Sequence, residues 1–99
     1  MAFPNRSGQI TVATAGTAVA GPSAPSGQLF AFKAHPDNTD TVWVGNDGAN
    51  DLTSSNGFPL DPGEGIVVKM LTVDSPLAEL YFDADVSGEK ICWFLMNMD

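Results

Sequence analysis

The chain has 99 residues, 43% of them hydrophobic, and a formal charge of −8 from 12 acidic and 4 basic residues. That length supports one domain around one core. Nucleic-acid affinity rests largely on Lys and Arg displacing counterions, so this charge argues against DNA or RNA as a partner.

Met1 to Gly8 is polar and broken by Pro4 and Gly8, which reads as an irregular N-terminal arm (residues 1–8) ahead of a domain spanning residues 9–99. QITVATAGTAVAG follows, and its β-branched Ile10, Thr11, Val12, Thr14, Thr17 and Val19 favour extended structure. Gly16, Gly21 and the lack of charged helix formers count against an Ala-based helix there. GPSAPSG (Gly21 to Gly27) reads as a loop, because its prolines and glycines continue neither a helix nor an interior strand. From Gln28 onward short β-branched and aromatic runs alternate with turn clusters. The expected strands are Gln28 to His35, Thr41 to Gly45, Ile66 to Val73, Ala78 to Ala84 and Lys90 to Met96, with a long loop between Gly45 and Ile66. No apolar stripe recurs at helical spacing.

Alternation assigns faces. Leu80 and Phe82 fall opposite Glu79, Tyr81 and Asp83, and Val42 and Val44 opposite Thr41 and Trp43. The expected fold is all-β, a small antiparallel β-sandwich, jelly-roll-like, with a compact barrel as the alternative closure. Asp61-Pro62-Gly63-Glu64 places Pro second and Gly third, the arrangement of a type II turn. A phosphate loop would need a following helix with Lys and Ser or Thr at fixed offsets, and the apolar run Ile66 to Met70 follows instead.

Candidate chemistry is sparse. DNTD (Asp37 to Asp40) and NDGAND (Asn46 to Asp51) gather the oxygen ligands that calcium takes, but the spacing departs from the EF-hand loop and these are ordinary turn residues. His35 is the only histidine and has no HxH or HExxH spacing around it, so it reads as a strand-end residue. Cys92 is the only cysteine. No internal disulfide or thiolate metal site is therefore available to one chain, and Cys92 reads as a small hydrophobe between Ile91 and Trp93. Asp83 and Asp85 read as solvated turn residues rather than a glycosidase pair. The reading is no enzyme, no cofactor and no metal. No stretch approaches the roughly 18 apolar residues a membrane span needs, and MAFPNRSGQ lacks the apolar core of a signal peptide, so a soluble protein made in the cytosol is expected.

KICWFLM is the informative stretch. Ile91, Trp93 and Leu95 alternate with Cys92, Phe94 and Met96, so both faces are apolar. A sandwich strand has one core face. The other calls for a cover: the N-terminal arm, another subunit, or a larger surface. The expected contact residues are Phe3 and Arg6 from the arm, with Trp93, Met96 and Met98 from the C-terminal run KICWFLMNMD.

Taken in order, HPDNTDTVWVGNDG, SSNGFPLDPGEGIVV, AELYFDA and SGEKICWFLM resemble a pattern in small β-sandwich structural proteins of tailed-bacteriophage virions. There an Asn-containing turn leads to a V-x-V-G strand, an N-G-x-x-L-x-P-G-E corner, an L-Y-x-x-A strand and a final strand. Asn38, Val42, Val44, Gly45, Asn56, Gly57, Leu60, Pro62, Gly63, Glu64, Leu80, Tyr81 and Ala84 stand at the matching positions. The resemblance covers the last two-thirds of the chain. It implies a non-enzymatic virion component, made in the host cytoplasm, of the capsid decoration, cement or head-fibre type. The two apolar faces of the last strand, in a chain with little core to spare, call for a homo-oligomer; the resemblance and the three-fold points of icosahedral shells suggest three subunits, and the resemblance implies the major capsid protein as partner. A tail or baseplate module that binds carbohydrate on Trp43 or Tyr81 is the alternative.

Overall fold

The structure, a computed structural model, describes residues 7–22, 26–46, 52–53, 55–70 and 75–96. Phe3, Arg6 and Met98, and most of the acidic stretch Asn46 to Asp51, lie outside them. The strands are β1 (Ser7–Val12), β2 (Val19–Ala20), β3 (Ser26–Gly27), β4 (Leu29–Ala34), β5 (Val42–Gly45), β6 (Phe58–Leu60), β7 (Gly65–Lys69), β8 (Ser75–Pro76), β9 (Tyr81–Ala84) and β10 (Glu89–Leu95). One 3-10 turn, Leu77–Glu79, precedes β9, and no α-helix occurs among the described residues.

Two four-stranded sheets, ordered β1-β10-β4-β7 and β2-β9-β5-β6, carry the fold, and every pairing is antiparallel. The chain crosses between sheets so that its first strand lies beside its last and its second beside β9. That is the strand order of a jelly roll. The two-residue strands β3 and β8 pair separately.

Period-2 alternation builds the core. Ile10, Val12, Phe30, Phe32, Ala34, Ile91, Trp93 and Leu95 point inward from the first sheet, and Val42, Val44, Leu60, Phe82 and Ala84 from the second. Phe32 and Phe82 bridge the layers from opposite sheets, with ring centroids 5.6 Å apart, and within the first sheet Phe30 meets Trp93 edge-on at 6.4 Å. Both separations fall in the range where ring quadrupoles attract.

Some expected bounds shift, since Ser26–Gly27, read as loop, is β3, and Ala78 to Leu80, read as strand, precede β9 in and after the 3-10 turn; three further expectations are corrected. Ser7 and Gly8 are not arm residues; they begin β1, opposite Phe94 and Trp93. Gly8 is there because its missing side chain leaves room for the indole, which lies 3.2 Å from where a Cβ would be. Secondly, the segment between Gly45 and Ile66 is not all loop, since β6 pairs with β5. Its three residues carry Pro59 at the centre, which only an edge strand accepts, and β6 is the edge of its sheet. Thirdly, Asp83 is not solvated: it is buried, and its Oδ1 accepts the Gly16 N–H at 3.0 Å and the Ala84 N–H at 2.8 Å.

The Asp61–Glu64 corner forms as the type II pattern requires. Gly63 has φ +87°, and the Glu64 N–H donates to the Asp61 carbonyl at 2.8 Å. Nothing lies within 4 Å of the Cβ an alanine would add at Gly63, so the cost of Gly63→Ala is conformational alone. We expect a loss of about 1 kcal/mol and a Tm lower by about 4–8 °C, with Gly63→Asn milder because Asn tolerates positive φ. A thermal melt in which both variants match the parent would show that this corner relaxes to another turn.

Candidate interaction face

The outer surface of the β1-β10-β4-β7 sheet is built by the residues that alternate with the core set. One cross-strand row reads Ser7, Phe94, Ala31, Val67, and the next Gln9, Cys92, Lys33, Gly65. Leu29 lies opposite Lys69, and Thr11 opposite Lys90. Phe94 is 49% exposed, Met96 47% and Val67 59%. Ala31, Lys33, Gly65, Val67, Cys92 and Phe94 line an open groove of about 480 Å³. A sandwich sheet does not ordinarily present side chains such as Phe94 and Met96 to water along one strand and its end, with Val67 across Ala31 from Phe94, and exposed apolar area of this kind marks contact sites.

Charge on this face runs against the rest of the molecule. Lys33, Lys69 and Lys90 are the chain's three lysines, and all stand exposed on this face. None of the chain's acidic residues is on the outward positions of these four strands: Glu89 is buried, and Glu64 belongs to the preceding corner. A protein of charge −8 thus gathers its three lysines around the main apolar surface of the described residues.

Of the expected contact residues, Met96 is on this surface and Trp93 is not. Trp93 is 5% exposed, packed between Gly8 and Phe30 on the core side. Its neighbours Phe94 and Val67 take its place. The alternation of β10 separated the two sets correctly, but both sets are apolar, so the sequence pattern alone left open which faces inward.

A second, polar cleft of about 310 Å³ opens on the other sheet, lined by Ala15, Gly16, Thr53, Asp83, Ala84 and Asp85. Beside it Trp43, half-buried, donates from Nε1 to Asp85 Oδ1 at 3.1 Å. One oxygen of Asp83 is occupied by backbone N–H groups. The two carboxylates therefore serve the loop at Gly16 and the indole, which is not the arrangement of a free acid–base pair.

The DNTD turn spends its polar atoms on structure. Asn38 both donates from Nδ2 to the Lys90 carbonyl (2.8 Å) and accepts the Lys90 N–H on Oδ1 (2.9 Å), while Glu89 Oε1 accepts from Thr39 N, Thr39 Oγ1 and Asp40 N. His35 closes its strand, its Nδ1 accepting the Asp37 N–H at 3.0 Å. No group of three or more His, Cys, Asp or Glu side chains is placed to hold a metal ion among the described residues. No helix among them is long and apolar enough to cross a membrane.

Comparison with known protein families, with curated proteins and with solved structures finds no match to this chain.

Proposed function

We propose that this chain is a non-enzymatic structural component of a bacteriophage virion, a decoration or cement protein that attaches to the outer surface of the head as an oligomer and stabilises it. The observation that carries an assembly role is the exposed apolar face of β10 and its neighbours, Phe94, Met96 and Val67 around Cys92. A small domain has little apolar residue to spare, and a sheet face of this composition is accounted for by a protein surface that covers it. The jelly-roll order supports the virion reading by analogy only, since such sandwiches recur in viral shells and in lectins alike. The motif resemblance from His35 to Met96 supplies the phage assignment. The partners are further copies of the chain, three by the symmetry of the shell, and the major capsid protein.

The polar cleft beside Trp43 favours a second reading, a tail or baseplate module for a hydroxyl-rich ligand such as a glycan, with the indole as a stacking platform. Quantitative mass spectrometry of purified particles, combined with antibody labelling, separates the two. Many copies distributed over the head are expected. A few copies at the tail would replace the decoration reading with the adhesion one, and absence from particles would end both.

A further inference from the structure

Among the described residues five large apolar side chains are exposed: Val67, Phe94 and Met96 on the lysine-bearing face, and Phe58 and Val86 away from it. Phe58, at 56% the more exposed of the latter pair, opens β6, the free edge of the other sheet. After it come Pro59, Asp61, Pro62 and Glu64, all exposed. The molecule therefore carries an apolar groove rimmed by ammonium groups and, on the β6 edge and the corner that leads from it into Gly65 at the groove's end, an aromatic side chain followed by carboxylates. One oxygen of each carboxylate is engaged: Asp61 Oδ1 accepts from Thr41 Oγ1 just before β5, and Glu64 Oε1 from the Asp61 N–H within the corner. These bonds hold both side chains in place while they remain exposed to solvent.

We propose that the Phe58–Glu64 edge of one copy docks on the outer face of the β1-β10-β4-β7 sheet of a second copy. Phe58 enters the groove between Ala31, Val67 and Phe94, and Asp61 and Glu64 lie against the lysine rim. This rests on the reading of the chain as a homo-oligomer and names its contact. Face-to-face pairing of two grooves would set lysines against lysines with no acidic side chain from either sheet face between them, and juxtaposed like charges are costly when desolvated. Docking of unlike surfaces escapes that repulsion. It also makes the contact heterologous, so copies join head to tail, and the assembly closes into a ring or continues as a filament according to the rotation between neighbours. A ring leaves no groove and no Phe58 unoccupied.

The test follows from that heterology. Phe58→Ser and Phe94→Ser each alter one half-exposed side chain, and each leaves the other docking surface intact. By sedimentation velocity at tens of micromolar, the parent chain is expected to be larger than a monomer and each variant to be monomeric. Their equimolar mixture should form a dimer and nothing larger, because only one productive contact remains per pair. Lys33→Glu with Lys69→Glu should weaken association of the parent at least about tenfold. An oligomer that survives Phe58→Ser would show that the face binds something other than this edge, and a mixture that stays monomeric would exclude the complementary pairing. A parent chain that is monomeric at every concentration would instead bring down the homo-oligomer reading, and this contact with it.

Alkylation of Cys92, the chain's sole thiol, reads occupancy of the groove directly. It should slow as the parent concentration rises and stay fast for Phe58→Ser. Faster alkylation of the dilute parent after removal of Met1–Arg6 would place the chain's own arm on the face. Protection of the Phe58→Ser variant by virion particles assembled without this chain would assign the face to the shell. Either result would overturn the self-contact.

Discussion

Trp93→Ala is expected to cost about 3–5 kcal/mol of unfolding free energy, while Phe94→Ser, one position along the same strand, should change it by about 0.5 kcal/mol or less. The contrast follows from direction alone. Trp93 points into the core, edge-on to Phe30 and over the bare Cα of Gly8, and Phe94 points out between Ser7 and Ala31. Removing the indole opens a cavity that β1 cannot collapse into, because its residue opposite Trp93 is a glycine with no side chain to move. Against a total stability of about 5–15 kcal/mol for a domain, such a loss is about a fifth of the whole at the least and all of it at the most. Trp93→Asp would do worse, leaving an unpaired carboxylate inside the sandwich, so it reports on folding and not on association. Urea unfolding followed by far-UV circular dichroism, at a concentration low enough that the parent is dissociated and association adds nothing to its stability, measures both variants without depending on tryptophan emission. Equal midpoints for the two would mean that β10 can rotate its faces, and the groove assigned above would then have no fixed composition.

The same strand shows how much the sequence could disclose. Alternation is a backbone property of strands, so the partition into Ile91, Trp93, Leu95 against Cys92, Phe94, Met96 was readable, as were the inward sets Val42/Val44 and Leu80/Phe82. The choice between two apolar sets is a tertiary matter. It is made here by Gly8 and Phe30, which are remote in sequence and meet Trp93 only once β1, β10 and β4 are side by side. The Asp61–Glu64 corner was readable because its determinants are local: Pro presets one dihedral, and Gly permits the next. β6 was hidden because three residues centred on a proline carry almost no periodic signal, and only pairing with β5 extends them. Asp83 was misread for a related reason. Its polar face is covered by Gly16, whose N–H it accepts, and no local pattern announces a loop folding back across a strand 67 residues away. The lysine clustering is also invisible along the chain, where Lys33, Lys69 and Lys90 are far apart; it appears only when β4, β7 and β10 become neighbours.

Glu89→Ala is expected to lose about 2–3 kcal/mol and to release the turn at Thr39 and Asp40 while leaving the core strands paired. Glu89 is 6% exposed, and its Oε1 accepts from the Thr39 N–H and Thr39 Oγ1 at 2.8 Å and from the Asp40 N–H at 3.0 Å. One carboxylate oxygen thus serves three donors of a turn about fifty residues earlier in the chain. Alanine would leave these donors to water or unmatched, and a buried donor without a partner costs about 1–3 kcal/mol. Glu89→Gln keeps an acceptor oxygen but not the charge, and charge-assisted bonds are roughly twice as strong as neutral ones, so it should recover about half of the loss. Hydrogen exchange distinguishes this from general destabilisation. The Thr39 and Asp40 amides should lose protection in Glu89→Ala well before those of Phe30 and Phe32, whose strand is held by β10 and β7 on both sides. Loss of protection spread evenly over the sandwich would mean that Glu89 supports the start of β10 as a whole. Its neighbour Lys90 would then owe its place to Glu89 as well as to Asn38, the side chain that takes its N–H and gives to its carbonyl.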